Sequence, residues 1–175
     1  MESYDFTWRI IMLGDEDAGK ASLTNHCTSR PVEDLNLKLT IGVDFYSKTM
    51  NYKGRKVKFQ ISDFGGEGRF QFLLPQYCKG QNGAFFLYNI TNPSSLHNLP
   101  GLTQIIRENA GDTPILLVGT EAHLEEKRAV TREQGFQTAR EYNLSGFIEV
   151  SSKTGQNVER LFETMTEILF RRYGP

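Results

Sequence analysis

At 175 residues the chain has the length of one domain, enough for a central sheet covered by helices on both faces. Its 20 basic and 21 acidic residues leave a net charge of −1, which gathers neither nucleic acid nor anionic lipid through a long-range field. No apolar run nears the roughly 20 residues of a membrane helix, and Met1-Glu2-Ser3-Tyr4-Asp5 is not read as a secretory leader, having no basic region before an apolar one.

In chain order, residues 8–13 (WRIIML) read as a buried strand and 19–28 as the helix after it. Residues 43–52 and 55–63 each alternate their side chains and are joined by Asn51-Tyr52-Lys53-Gly54, a hairpin-turn composition. A helical pattern over 68–79 is interrupted by Pro75. The apolar run 83–90 (GAFFLYNI) is a strand, and 94–109 a helix that Pro100-Gly101 should kink. Residues 114–119 (PILLVG) and 146–150 are the last strands. Between them a helix starts at Thr131, where Thr131-Arg132-Glu133-Gln134 has capping-box spacing. The final helix, 157–172, carries Val158, Leu161, Phe162, Met165, Ile168 and Leu169 on one face. Alternating strands and helices mean a mostly parallel sheet, with ligands at the carboxyl ends of its strands. Cys27 and Cys78 are expected to be reduced and buried, as in a cytosolic protein, and the last residues, Arg171 to Pro175, hold no cysteine for prenylation.

Gly14-Asp15-Glu16-Asp17-Ala18-Gly19-Lys20-Ala21 follows a strand and opens a helix. It matches G-x-x-x-x-G-K, a loop whose backbone N–H groups wrap phosphate at the positive end of a helix. Lys20 would reach the β- and γ-phosphates. The plainer reading is a glycine turn with a surface lysine. The eighth position should offer a Ser or Thr hydroxyl to Mg²⁺, but Ala21 has no oxygen, and Ser22 lies about 100° round the helix. Either Mg²⁺ is held with a water in place of the hydroxyl or it binds weakly. Glu16 and Asp17 add negative charge beside a polyanion.

Five further segments complete a resemblance to Ras-superfamily small GTPases, Rab-like, over almost the whole chain. Thr40-Ile41-Gly42-Val43-Asp44-Phe45 resembles the Rab switch I segment, as Tyr77-Cys78-Lys79-Gly80 does a later Rab segment. Asp63-Phe64-Gly65-Gly66-Glu67 stands where the family has D-x-x-G and a glutamine, although Gly65-Gly66 is similar to the Arf branch. Residues 116–123, ending Gly119-Thr120-Glu121-Ala122-His123, take the place of N-K-x-D, and Ser151-Ser152-Lys153 resembles S-A-K.

The resemblance implies one G domain over residues 1–175. Its fold would be an α/β P-loop NTPase, a mostly parallel six-stranded sheet with one antiparallel edge strand and helices on both faces. It implies nucleotide contacts from Gly14, Asp17, Ala18, Gly19, Lys20, Ala21, Ser22, Thr40, Gly66, Thr120, Glu121, His123, Ser151, Ser152 and Lys153. Thr40 and Asp63 would hold metal, while Lys20 and Glu67 take the catalytic positions. Glu67 replaces the glutamine that orients the attacking water, and its charge faces a developing anion. His123, Glu121 and Thr120 replace the aspartate, lysine and asparagine that read guanine, at a cost on the order of 2–4 kcal/mol. The implied cofactors are weakly bound GTP or GDP and Mg²⁺.

Two functions follow: a guanine-nucleotide switch with weakened binding and slow hydrolysis, or a pseudo-GTPase interaction module. Effectors or regulators would meet a monomeric, cytoplasmic protein through switch I and II, peripheral to a membrane at most through those partners; Phe64, Phe70, Phe72, Leu73 and Leu74 would be a partner surface or, in part, residues that simply pack on the sheet. No nucleic acid or intrinsic membrane segment is expected.

Overall fold

The apolar runs form six strands because their side chains alternate between two faces that both need covering. The computed structural model describes residues 2–27, 43–64 and 68–174, with the side chains of all but 27 and 68–70. The strands are β1 (Phe6–Gly14), β2 (Val43–Tyr52), β3 (Arg55–Phe64), β4 (Gly83–Asn89), β5 (Ile115–Thr120) and β6 (Gly146–Glu149). They lie in one sheet in the order β2-β3-β1-β4-β5-β6. Only β2 runs antiparallel, pairing with β3 from Val43↔Phe64 to Tyr52↔Arg55; the other neighbours are parallel. The expected architecture is the observed one.

The described helices are α1 (Lys20–Cys27), α2 (Leu74–Cys78), α3 (Leu99–Ala110), α4 (Arg132–Glu141) and α5 (Val158–Tyr173). On one face of the sheet Ile10, Met12, Phe85, Leu87, Leu116 and Val118 meet Leu23 of α1 and Leu161, Phe162, Met165 and Leu169 of α5. On the other, Ile11, Leu13, Ala84, Phe86, Ile115 and Leu117 meet Leu74 and Cys78 of α2, Leu102 and Ile106 of α3, and Ala139 of α4. Alternate residues of β1, β4 and β5 thus serve opposite cores, which is why these strands read as continuous apolar runs. The edge hairpin is also tied across the first core: Lys48 of β2 donates to Glu159 of α5 at 2.6 Å, above the Phe162 ring.

Two helix expectations need correction. Residues 68–79 are a 3₁₀ turn (Gly68–Leu73) followed by α2, with Pro75 in the first turn of α2 rather than inside one helix. Likewise a 3₁₀ turn (Pro93–Leu96) precedes α3, and Pro100 lies in that helix's first turn. A proline has no N–H to lose there, so it starts the helix where a kink was expected. The capping box holds: Thr131 Oγ1 accepts from Gln134 N at 3.0 Å and Gln134 Oε1 from Thr131 N at 2.8 Å. Phe64 and Leu74 are core residues, 4% and 0% exposed, so they leave the supposed partner surface, whereas Phe72 is 75% exposed. Cys78 is buried and unbridged, its thiol pushed up to about 11 by desolvation; the Cys27 side chain lies outside the described residues.

One helical glycine is a packing requirement. An alanine inside a helix is ordinarily favoured over glycine by about 1 kcal/mol. At Gly135 in α4, however, a Cβ would come within 2.5 Å of the Phe147 ring and 2.6 Å of the Tyr88 hydroxyl. Gly135→Ala is therefore expected to destabilise by about 1–3 kcal/mol in urea unfolding; a gain in stability would contradict this packing.

Candidate nucleotide site

The carboxyl ends of β1, β3, β4 and β5 lie side by side and carry Gly14, Asp63, Asn89 and Thr120. Gly14 turns the chain sharply (φ +151°), and a Cβ there would lie 2.6 Å from Leu87 O. A 3₁₀ turn, Glu16–Ala18, follows, capped by Asp15, whose Oδ1 accepts from Glu16 N at 2.8 Å. Gly19 (φ +82°) then starts α1 so close to Thr120 that a Cβ would meet its hydroxyl at 3.1 Å. Both glycines are dictated by conformation and space.

Ala18 N bonds Asp15 O at 3.0 Å and Leu23 N bonds Gly19 O at 3.1 Å. Around these two bonds, no described residue accepts from the amides of Asp17, Gly19, Lys20, Ala21 or Ser22. Unpaired donors in succession round a helix start form the concavity that takes an anion. Lys20, 6% exposed, donates from Nζ to Gly14 O at 2.7 Å and Asp15 O at 2.8 Å, leaving one of its three protons uncommitted. Burial pulls its pKa down, against the opposing influence of Asp63, Asp15 and Glu16.

Asp63 is 7% exposed, and its Oδ1 has no hydrogen-bond partner among the described residues. Desolvation raises its pKa to about 6, although the Lys20 charge pulls it down. A buried carboxylate oxygen without a donor fits a hydrated cation beside a phosphate. Ala21 supplies nothing to that cation, and among the described residues no three His, Cys, Asp or Glu side chains gather into a metal-holding group.

The loop is held from behind. Thr120, 2% exposed, donates from Oγ1 to Ala18 O at 2.7 Å, with Tyr88 O at 3.0 Å as a second acceptor. Asn89 Nδ2 donates to Asp17 O at 3.3 Å and Asn92 Nδ2 to Asp17 Oδ2 at 2.8 Å. Thr120 thus grips the phosphate loop, a role the sequence did not suggest. Thr120→Val keeps the shape but leaves the Ala18 carbonyl without this donor, and is expected to destabilise by about 1–2 kcal/mol in thermal unfolding. An unchanged melting temperature would show that the tether contributes nothing.

Beyond Thr120, Glu121 takes a left-handed backbone (φ +64°) and brings its carboxylate to 3.6 Å from His123 Nε2. His123 Nδ1 lies 2.8 Å from Ser151 Oγ, which also accepts from Thr154 N at 3.2 Å. In either tautomer Nδ1 is engaged, so His123 does not offer guanine the paired acceptors that its N–H groups require. Ser151 is buried, Ser152 half-buried and Lys153 exposed.

The structure therefore gathers residues 14–22 with Asp63 and Thr120, and separately groups Glu121, His123 and Ser151. Thr40, Gly66 and Glu67 lie outside the described residues. Sequence reading missed Asn89 and Asn92; the Asn92-Pro93 pair after a strand was the available turn signal.

A glycine loop at the first strand–helix turn, a buried lysine folded over it and a buried aspartate beside it, one oxygen of which has no donor among the described residues, define a P-loop nucleotide-binding protein. The Ras family model matches residues 9–171, and the chain belongs to that family as a Rab-like small GTPase. It is 34% identical over 171 residues to the Ras-related protein RABA2a of Arabidopsis thaliana, an overlap covering 97% of this chain and 78% of that protein. Ras-family proteins are switches that use GTP or GDP with Mg²⁺ and act through effectors and regulators. No helix among the described residues is long and apolar enough to cross a membrane.

Proposed function

We propose that this chain is a Rab-like switch in which phosphate binding survives while metal use, base selection and hydrolysis are weakened. The observation that carries the reading is the group of amides at Asp17, Gly19, Lys20, Ala21 and Ser22 that have no acceptor among the described residues, gathered round the buried Lys20. A main-chain cradle does not depend on the side chains that were replaced, so it still attracts the β-phosphate of GDP or GTP. Asp63 and, by resemblance, Thr40 would hold Mg²⁺, which when bound neutralises charge on the phosphates. Ala21 withdraws one ligand from that ion. His123, a single ring engaged with Ser151 where a carboxylate would pair with guanine, supports poor selection of guanine over adenine. Glu67 at the water-orienting position supports slow hydrolysis. Partners would meet the switch surface at which Phe72 is exposed, and the protein would be cytoplasmic and peripheral to membranes only through them.

The same base-side contacts favour a second reading, a pseudo-GTPase that kept the fold as an interaction module. The two part in one experiment. The purified chain is denatured, released nucleotide is chromatographed, and the stripped protein is titrated with GDP, GTP and ATP with and without Mg²⁺. The switch reading expects bound or rebinding nucleotide with little dependence on metal. No release and no heat with any of the three would replace it by the module.

A further inference from the structure

Asp17 places a carboxylate on the phosphate loop, next to amides that would face a polyanion. That carboxylate is exposed, yet it is not loose: Oδ2 accepts from Asn92 Nδ2 at 2.8 Å. The orientation of the Asn92 amide is set independently. Its Oδ1 accepts from Ser94 N at 3.1 Å and from the Ser94 hydroxyl at 2.6 Å. A backbone N–H only donates, so the amide oxygen must face Ser94 and the NH₂ must face Asp17. Asn89 is fixed in the same way, with Thr91 N and Oγ1 at 2.9 and 2.8 Å from its Oδ1, leaving its NH₂ for Asp17 O.

The turn carrying both asparagines is itself closed. Asn92 N donates to Asn89 O at 3.0 Å, and the buried Ser95 hydroxyl accepts from Asn89 N at 2.9 Å while donating to Asn92 O at 2.7 Å. The main chain and side chain of one loop residue are thus held by two asparagines from a single rigid turn after β4.

We propose that Asn92 is a positioning residue for nucleotide retention, holding the Asp17 carboxylate against the turn after β4 and so off phosphate groups seated on the loop amides. The proposal rests on the nucleotide reading of the site. Asn89 anchors the backbone, and Asn92 aims the charge. Without Asn92 the carboxylate is released to rotamers nearer the phosphates, where like charge weakens di- and triphosphate binding. Such an effect carries two marks that loss of structure does not: it is screened by salt, and it vanishes when residue 17 is uncharged.

The test is calorimetric titration of the full chain with GDP at about 50 and about 500 mM salt, for wild type, Asn92→Ala, Asp17→Asn and the double variant. Asn92→Ala is expected to weaken binding about three- to tenfold at the lower salt, with most of the loss recovered at the higher. Asp17→Asn keeps the main-chain amide of the cradle and removes only the charge, so it should bind GDP more tightly than wild type, and adding Asn92→Ala to it should cost nothing. An Asn92→Ala loss that is equal in both backgrounds and indifferent to salt overturns the proposal, because the turn would then be merely structural. So does wild-type affinity in Asn92→Ala. If the wild-type chain binds no nucleotide in the same titration, the reading of the site falls and the role of Asn92 falls with it.

Discussion

Lys20→Met is expected to lower affinity for GDP by about 100-fold or more, on the order of 3 kcal/mol. The ammonium is nearly buried and already oriented by two carbonyls of its own loop, Gly14 O and Asp15 O. Its desolvation is therefore met in the folded protein, and the proton left over is available to a phosphate at no further ordering cost. Methionine matches the stem in volume but returns none of this. Removing the charge also withdraws the attraction that favours ionised Asp63, so the variant holds that carboxyl in its neutral form to higher pH. Calorimetry on folded Lys20→Met checks the claim. A loss under about threefold would place Lys20 away from any phosphate.

The second large effect is at Asp63, and its sign is opposite for the empty and loaded protein. Its folded-state pKa, about 6, lies above the ordinary 3.8 because burial penalises the anion. The folded state thus binds this proton more tightly than the unfolded one. Stability from this group is fully present below about pH 4, where both states are protonated, and is lost as pH rises through 6. The loss is on the order of 3 kcal/mol, fully developed at pH 7. Asp63→Asn keeps the shape without the charge and should raise the melting temperature of nucleotide-free protein at pH 7, flattening its pH dependence between about 4 and 6. In exchange it should remove whatever Mg²⁺ dependence nucleotide binding shows. A nucleotide-free Asp63→Asn variant less stable than wild type at pH 7 would mean that Asp63 is satisfied as an anion and that the burial argument is wrong.

The strands were legible because β1, β4 and β5 bury both faces and so leave unbroken apolar runs, which few other structures produce. The phosphate loop was legible because its glycines are dictated locally: Gly14 and Gly19 need positive φ and the absence of a Cβ. Pro75 and Pro100 were misread because a proline that breaks a helix and one that begins it look alike until the preceding turn is known to be 3₁₀. The tether from Thr120 was not legible, because nothing in a linear string shows that its hydroxyl meets Ala18 O across a separation of 102 residues.

The sequence alone determined the class of the protein: the alternation of strands and helices, the glycine loop, and the replacements at Ala21, Glu67, Glu121 and His123. These are matters of local conformation and of residue chemistry, both of which a residue carries with it. The tertiary structure decided what the replacements do to one another. It sets His123 against Ser151 and Glu121, leaves Asp63 Oδ1 without a donor among the described residues, and turns Asp17 toward Asn92. Each of these depends on strand ends that are distant in the chain being brought together at one edge of the sheet. Hydrogen bonding and desolvation act over a few Å of space, whatever the separation in sequence.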